Sequence, residues 1–153
     1  MRRFYRFYKG RIGTALLLLR LIVGFAFILH GWPKVQDPAA FARMMHLPAW
    51  LGFIGAWVEV AGGALLMLGL LTPLAALLLT LQMVATFPIV HIPQRTPFIN
   101  PGGPSYELAL LYLVVGIVYL LTGPGAFSAD AWLFGGKRAE ARGRSFNRRR
   151  SIA

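Results

Sequence analysis

Residues 47–72 read LPAWLGFIGAWVEVAGGALLMLGLLT, an apolar run broken by one charge, Glu59. A carboxylate at membrane depth is costly, so it needs a partner or a proton and is a functional-site candidate by default. The helical part of the run, Ala49–Leu71, is long enough for the roughly 20 residues that a bilayer-crossing helix needs. Three other stretches match it: Ile12–Trp32, Leu74–Ile92 and Ser105–Leu121. The whole chain of 153 residues is 57% hydrophobic and only 14% charged, against about 25% charged in a soluble domain. These features predict an all-α membrane protein built as an antiparallel bundle of four transmembrane helices. The first span is too long, and too embedded in that pattern, to be a cleaved signal peptide. Cysteine is absent, which excludes thiol–disulfide chemistry, thiolate zinc sites and iron–sulfur ligation within this chain.

The breaks between spans carry turn chemistry. Thr72-Pro73 predicts an N-cap followed by proline at the first helical position, and hence a tight hairpin between spans two and three. Asn100-Pro101-Gly102-Gly103-Pro104-Ser105 stops one segment, with Ser105 able to cap the next, and Gly123-Pro124-Gly125 ends the fourth span. Twelve of the sixteen basic residues lie in the two termini, from Arg2 to Arg11 and from Lys137 to Arg150. An even span count puts both termini on one side, and the positive-inside rule makes that side cytoplasmic. Three parts follow: a basic N-terminus over residues 1–11, a membrane domain over 12–135, and a basic, disordered tail over 136–153. The net charge of +11 reads as a topology signal that also meets anionic lipid headgroups. No nucleic-acid partner is expected, because no recognition fold accompanies the basic tails.

Depth follows from the helical rise. Arg20 lies about 12 Å in from the cytoplasmic end of span one, and Glu59 about 15 Å in from the outer end of span two. In a core of roughly 30 Å these levels nearly coincide, which predicts an Arg20–Glu59 pair. Helical periodicity puts Gly13, Arg20, Gly24, Phe27, Gly31 and Lys34 on one stripe of span one, and Gly52, Gly55, Ala56, Glu59 and Gly63 on one stripe of span two. Small residues let membrane helices approach closely. Such a pair can also serve helix pairing alone.

A second polar layer lies nearer the outer surface. His30, His91 and Glu107 stand near the outer ends of spans one, three and four, flanked by Lys34, Asp37, Arg95 and Asn100. Imidazoles, a carboxylate and cations in one layer suit an anionic or quinone-like headgroup and proton exchange. Two histidines on different helices also raise bis-histidine haem, which a single pair supports weakly. A metal site from His30, His91 and Glu107 has no further support, and none is assigned. No Walker loop, dinucleotide fingerprint, HExxH or serine-nucleophile motif is present.

Four segments resemble a known family. Residues 18–35, LLRLIVGFAFILHGWPKV, carry Arg20, His30, Gly31 and Lys34. Residues 58–76, VEVAGGALLMLGLLTPLAA, carry Glu59, Gly62, Gly63, Gly69 and Thr72. Residues 91–111, HIPQRTPFINPGGPSYELALL, carry His91, Asn100, Gly102, Gly103 and Glu107. Residues 121–130, LTGPGAFSAD, close with Ser128 and Asp130. In this order they resemble the DoxX family over roughly residues 14–135. The resemblance implies a small four-helix inner-membrane protein. Some DoxX and DoxD relatives are linked to thiosulfate:quinone or quinol oxidoreduction and some to redox-defence complexes. The expected role is thus a quinone-interacting or anchoring subunit of a membrane redox complex, with redox-complex proteins, lipids and further copies of itself as partners. Two other roles stay open: a structural or assembly subunit without its own chemistry, and a small proton-coupled carrier.

Overall fold

A computed structural model describes residues 2–134. The basic tail expected over residues 136–153 lies outside the described residues. Helices follow in order: α1 (Arg2–Gln36), α2 (Pro38–Met44), α3 (Ala49–Leu68), α4 (Thr72–Thr86) and α5 (Glu107–Thr122), and residues 129–134 are again helical. No strand occurs among the described residues. Among the described residues, three helical segments are long and apolar enough to cross a membrane: Gly10–Gln36, Ala49–Leu68 and Thr72–His91. The apolar α5 is shorter, with 16 residues, or about 24 Å.

Prolines and caps place the breaks. Pro33 sits inside α1, and Pro38 stops continuation beyond Gln36. Asp37 then caps α2, accepting the Ala40 N–H at 2.8 Å. Gly69, at φ 65°, ends α3 in the left-handed conformation that glycine adopts without steric cost. Just beyond α4, Pro88 has no N–H to give to the turn before it. The ladder there slips to π spacing over Phe87–His91, with Ile92 N–H bonded to the Phe87 carbonyl at 2.9 Å.

Two expected caps are absent. Thr72 does not cap α4; it is the first helical residue, and Leu71 holds the cap position without a side-chain bond. The cap comes from far along the chain. Asp130 accepts Leu71 N–H through Oδ1 and Thr72 N–H through Oδ2, both at 2.8 Å. A full carboxylate at a helix N-terminus outcompetes a hydroxyl for those donors. Ser105 likewise makes no cap, because α5 begins after Tyr106.

The helices pack antiparallel through glycines. A Cβ on Gly24 would lie 2.6 Å from the Gly63 carbonyl, and one on Gly31 would lie 2.7 Å from Glu59 Cβ. α1 and α3 therefore touch backbone to backbone, as small residues in membrane helices allow. Gly62 meets Leu79 of α4, and Gly116 of α5 meets Thr80. The core runs along these seams through Val23, Phe27, Leu66, Leu79 and Tyr119. At one end, residues 123–134 fold back under the bundle, where the Asp130 N–H bonds the Gly69 carbonyl at 2.9 Å. At the other end α2 packs on α3, with Ala42 against Gly52.

Candidate functional site

The interior charges form two sites at opposite ends, and this corrects the expected Arg20–Glu59 pair. Arg20 and Glu59 are both buried, at 2% and 4% exposure. They do not meet. Arg20 packs against Gly69 and donates from Nη1 to the Pro124 carbonyl at 2.9 Å. Glu59 instead pairs with Lys34, whose Nζ lies 2.6 Å from both carboxylate oxygens. The register explains the exchange. Gly69, the neighbour of Arg20, lies ten residues beyond Glu59, or about 15 Å along α3. Side-chain direction adds to it. Helical side chains lean toward their own N-terminus, so Glu59 leans toward the end of α1 that carries Lys34. Lys34 leans inward to meet it, and Arg20 leans away.

Gln82 of α4 completes the cluster. Its Nε2 donates to Glu59 Oε1 at 2.7 Å and to the Gly55 carbonyl at 3.2 Å. Both amide hydrogens are thereby committed, which fixes the orientation of the side chain. Lys34 Nζ also sits 5.0 Å from the centre of the Phe41 ring of α2, within cation–π range. Three helices thus contribute to one network around a carboxylate, and α2 covers its cation.

This network lies on the wall of a cavity of about 770 Å³. The cavity falls within the 300–1,000 Å³ range of small-molecule sites. Its lining is mostly apolar, with Phe27, Val58, Leu81 and Met83 among the contributors. His30 and His91 both line it, as do Tyr112 and Ser105. The two imidazoles pack on different aromatics. His30 meets Tyr112 edge-on at 6.3 Å, whereas His91 lies between Phe87 at 5.4 Å and Tyr106 at 6.1 Å. His91 Nδ1 is 2.8 Å from Thr96 Oγ1, and its Nε2 is buried without a partner.

Two expected site residues lie elsewhere. Glu107 is exposed and does not line the cavity. Asn100 is also exposed, and its Nδ2 donates to the Pro104 carbonyl at 3.3 Å, closing the loop before α5. Among the described residues, no three of His, Asp and Glu converge as a metal site, so His30, His91 and Glu107 do not form the triad considered above. Gln82 and Tyr112 were not singled out in the sequence. Gln82 carried the same signal as Glu59, a polar side chain deep in an apolar span.

The DoxX family model matches residues 15–92. That stretch contains Arg20, His30, Lys34, Glu59, Gln82 and His91. A Bacillus subtilis protein named "Putative oxidoreductase CatD" is 32% identical over 130 residues, covering 83% of this chain and 91% of its own. An uncharacterized protein of Haemophilus influenzae is 31% identical over 127 residues, covering 78% and 90% respectively. An uncharacterized membrane protein of Mycobacterium tuberculosis is 32% identical over 144 residues, covering 84% and 86%. No solved structure matches.

Proposed function

Because the chain belongs to the DoxX family of membrane proteins, we propose that it binds a quinone and serves as the quinone-interacting or anchoring subunit of a membrane redox complex. One observation carries this reading. A Lys34–Glu59–Gln82 network stands on the wall of a mostly apolar cavity, between helices of membrane-spanning length. A quinone has the matching chemistry: an apolar ring that leaves water readily and carbonyl oxygens that need donors. Lys34 has three N–H groups and two carboxylate contacts, which leaves one for a ring oxygen. The "oxidoreductase" in the Bacillus relative's name agrees with this class of chemistry.

Reduction of a quinone to a quinol takes up two electrons and two protons. The chain has no cysteine to carry the electrons, so a partner protein supplies them. His30, exposed on the same cavity, is placed to exchange protons with water. Four spans, with α5 as the fourth, put both basic termini at the cytoplasmic face of the inner membrane, against anionic lipid.

The test is binding of a quinone analogue to purified protein in nanodiscs, followed by tryptophan quenching. Lys34→Met and His91→Ala should each weaken binding about tenfold or more, as expected when a buried polar contact is lost. Glu107→Gln should leave it unchanged. Equal binding by all four proteins would sink the proposed site.

A further inference from the structure

Building on that reading, we propose that the ligand carries an uncharged head and an apolar tail, and that the tail lies in a groove between α3 and α4 floored by Gly55. The ligand then enters sideways from the bilayer. Gly55 supplies the first observation. Four other glycines of α1 and α3 are required by close packing against a neighbouring helix. A Cβ would come within 2.6 Å of a neighbour at Gly24 and at Gly52, within 2.7 Å at Gly31 and Gly63. At Gly55 a Cβ would meet only Gln82 Nε2, at 4.0 Å. Glycine inside a helix is worse than alanine, and no packing contact compensates for it here. What Gly55 leaves is open space beside the polar network.

The walls of that space give the second observation. Leu51 and Ile54 of α3, Leu78 and Leu81 of α4, and Ile89 of the π turn that follows it all line the cavity, yet each is between 37% and 55% exposed. Phe27 and Met83, on the inner side of the same cavity, are 2% and 7% exposed. The cavity therefore runs from the buried interior to the outer surface of two membrane-length helices. In a bilayer that surface meets acyl chains, not water. A lone ring with its substituents would also leave most of about 770 Å³ unfilled.

Charge selects the head. Among the described residues, Lys34 and Glu59 are the only Lys, Arg, Asp or Glu on the lining, and they neutralise each other at 2.6 Å. A carboxylate or phosphate entering here finds no permanent unpaired cation to repay its desolvation, since the imidazoles of His30 and His91 are cations only when protonated. A neutral head loses nothing.

The test compares a decyl-tailed benzoquinone, the same ring without the tail, and palmitate, in nanodiscs, with affinities expressed per mole fraction in the bilayer. Wild type should bind the tailed quinone about threefold or more tighter than the bare ring, through packing of the tail in the groove, since a tail leaving acyl chains gains no hydrophobic burial. Palmitate should not compete. Gly55→Leu fills the groove from its floor and should remove the preference for the tail, bringing the two rings to equal affinity. Leu81→Trp narrows the groove from its side and should do the same should Gly55→Leu not fold. Equal affinity for tailed and bare rings, unmoved by either variant, would overturn the groove while the quinone reading stood. Binding of neither ring would overturn both, and displacement by palmitate would overturn the neutral head.

Discussion

The exchange of partners at Glu59 can be tested by a double-mutant cycle. In Lys34→Met, Glu59 remains 6% exposed and keeps Gln82 as its donor. Removing one member of a buried pair typically costs about 3–5 kcal/mol. In Glu59→Gln the stranded charge is Lys34, whose side chain is 26% exposed, so partial solvation lowers the cost to about 2–3 kcal/mol. The double variant Lys34→Met/Glu59→Gln buries no charge and should return to within about 1 kcal/mol of wild type. The coupling energy between Lys34 and Glu59 is therefore a few kcal/mol. Arg20 and Glu59 sit at levels about 15 Å apart along α3. Arg20→Met and Glu59→Gln should add within about 0.5 kcal/mol. Reversible unfolding by SDS in mixed micelles, followed by tryptophan fluorescence, gives each stability. Additivity between Lys34 and Glu59, or a larger coupling between Arg20 and Glu59, would refute the assigned pairing.

Other consequences concern the frame around the site. Asp130→Ala removes both bonds to the start of α4 and should cost about 1–2 kcal/mol, as loss of an N-cap does; Thr72→Val should then cost less, because its hydroxyl makes no bond. Gly63→Val should destabilise by about 3 kcal/mol or more, since a Cβ there already meets the Gly24 carbonyl at 2.7 Å and Phe27 Cβ at 2.9 Å; unchanged stability would contradict the α1–α3 seam. Tyr119→Phe deletes the 2.6 Å bond to the Leu16 carbonyl and should lose about 1 kcal/mol in the same unfolding assay. Reporter fusions at each terminus should both report the cytoplasm, and opposite readings would overturn the four-span topology.

Composition and helical periodicity reach the faces of the helices but not their stagger. The stripe holding Gly24 and Gly31 was legible because close-packed membrane helices need small residues at i and i+7, and the structure sets those two glycines against Gly63 and Glu59. The same stripe carries two cations, Arg20 and Lys34, fourteen residues apart, or about 21 Å. Which one meets Glu59 depends on how far α1 slides past α3. In the folded chain that slide is fixed where Gly24 meets Gly63 and Gly31 meets Glu59, contacts between residues 39 and 28 positions apart. Counting depth from the ends of apolar runs assumes that the ends align, and they do not. The Asp130 cap was hidden for the same reason, since its bonds to α4 join residues 58 and 59 positions apart. Other misses were legible. Ala109, Gly116 and Tyr119 mark the buried face of α5, and Glu107 falls about 200° from Ala109 around that helix, on the outer side. Side-chain lean alone favoured Lys34 over Arg20 for Glu59. Gln82 stood as isolated in its span as Glu59 in its own, and an amide buried among leucines asks for a partner on the same physical grounds as a carboxylate, at lower cost. Polar side chains of every kind in an apolar run, not ionisable ones alone, are therefore the residues from which such a site is best read.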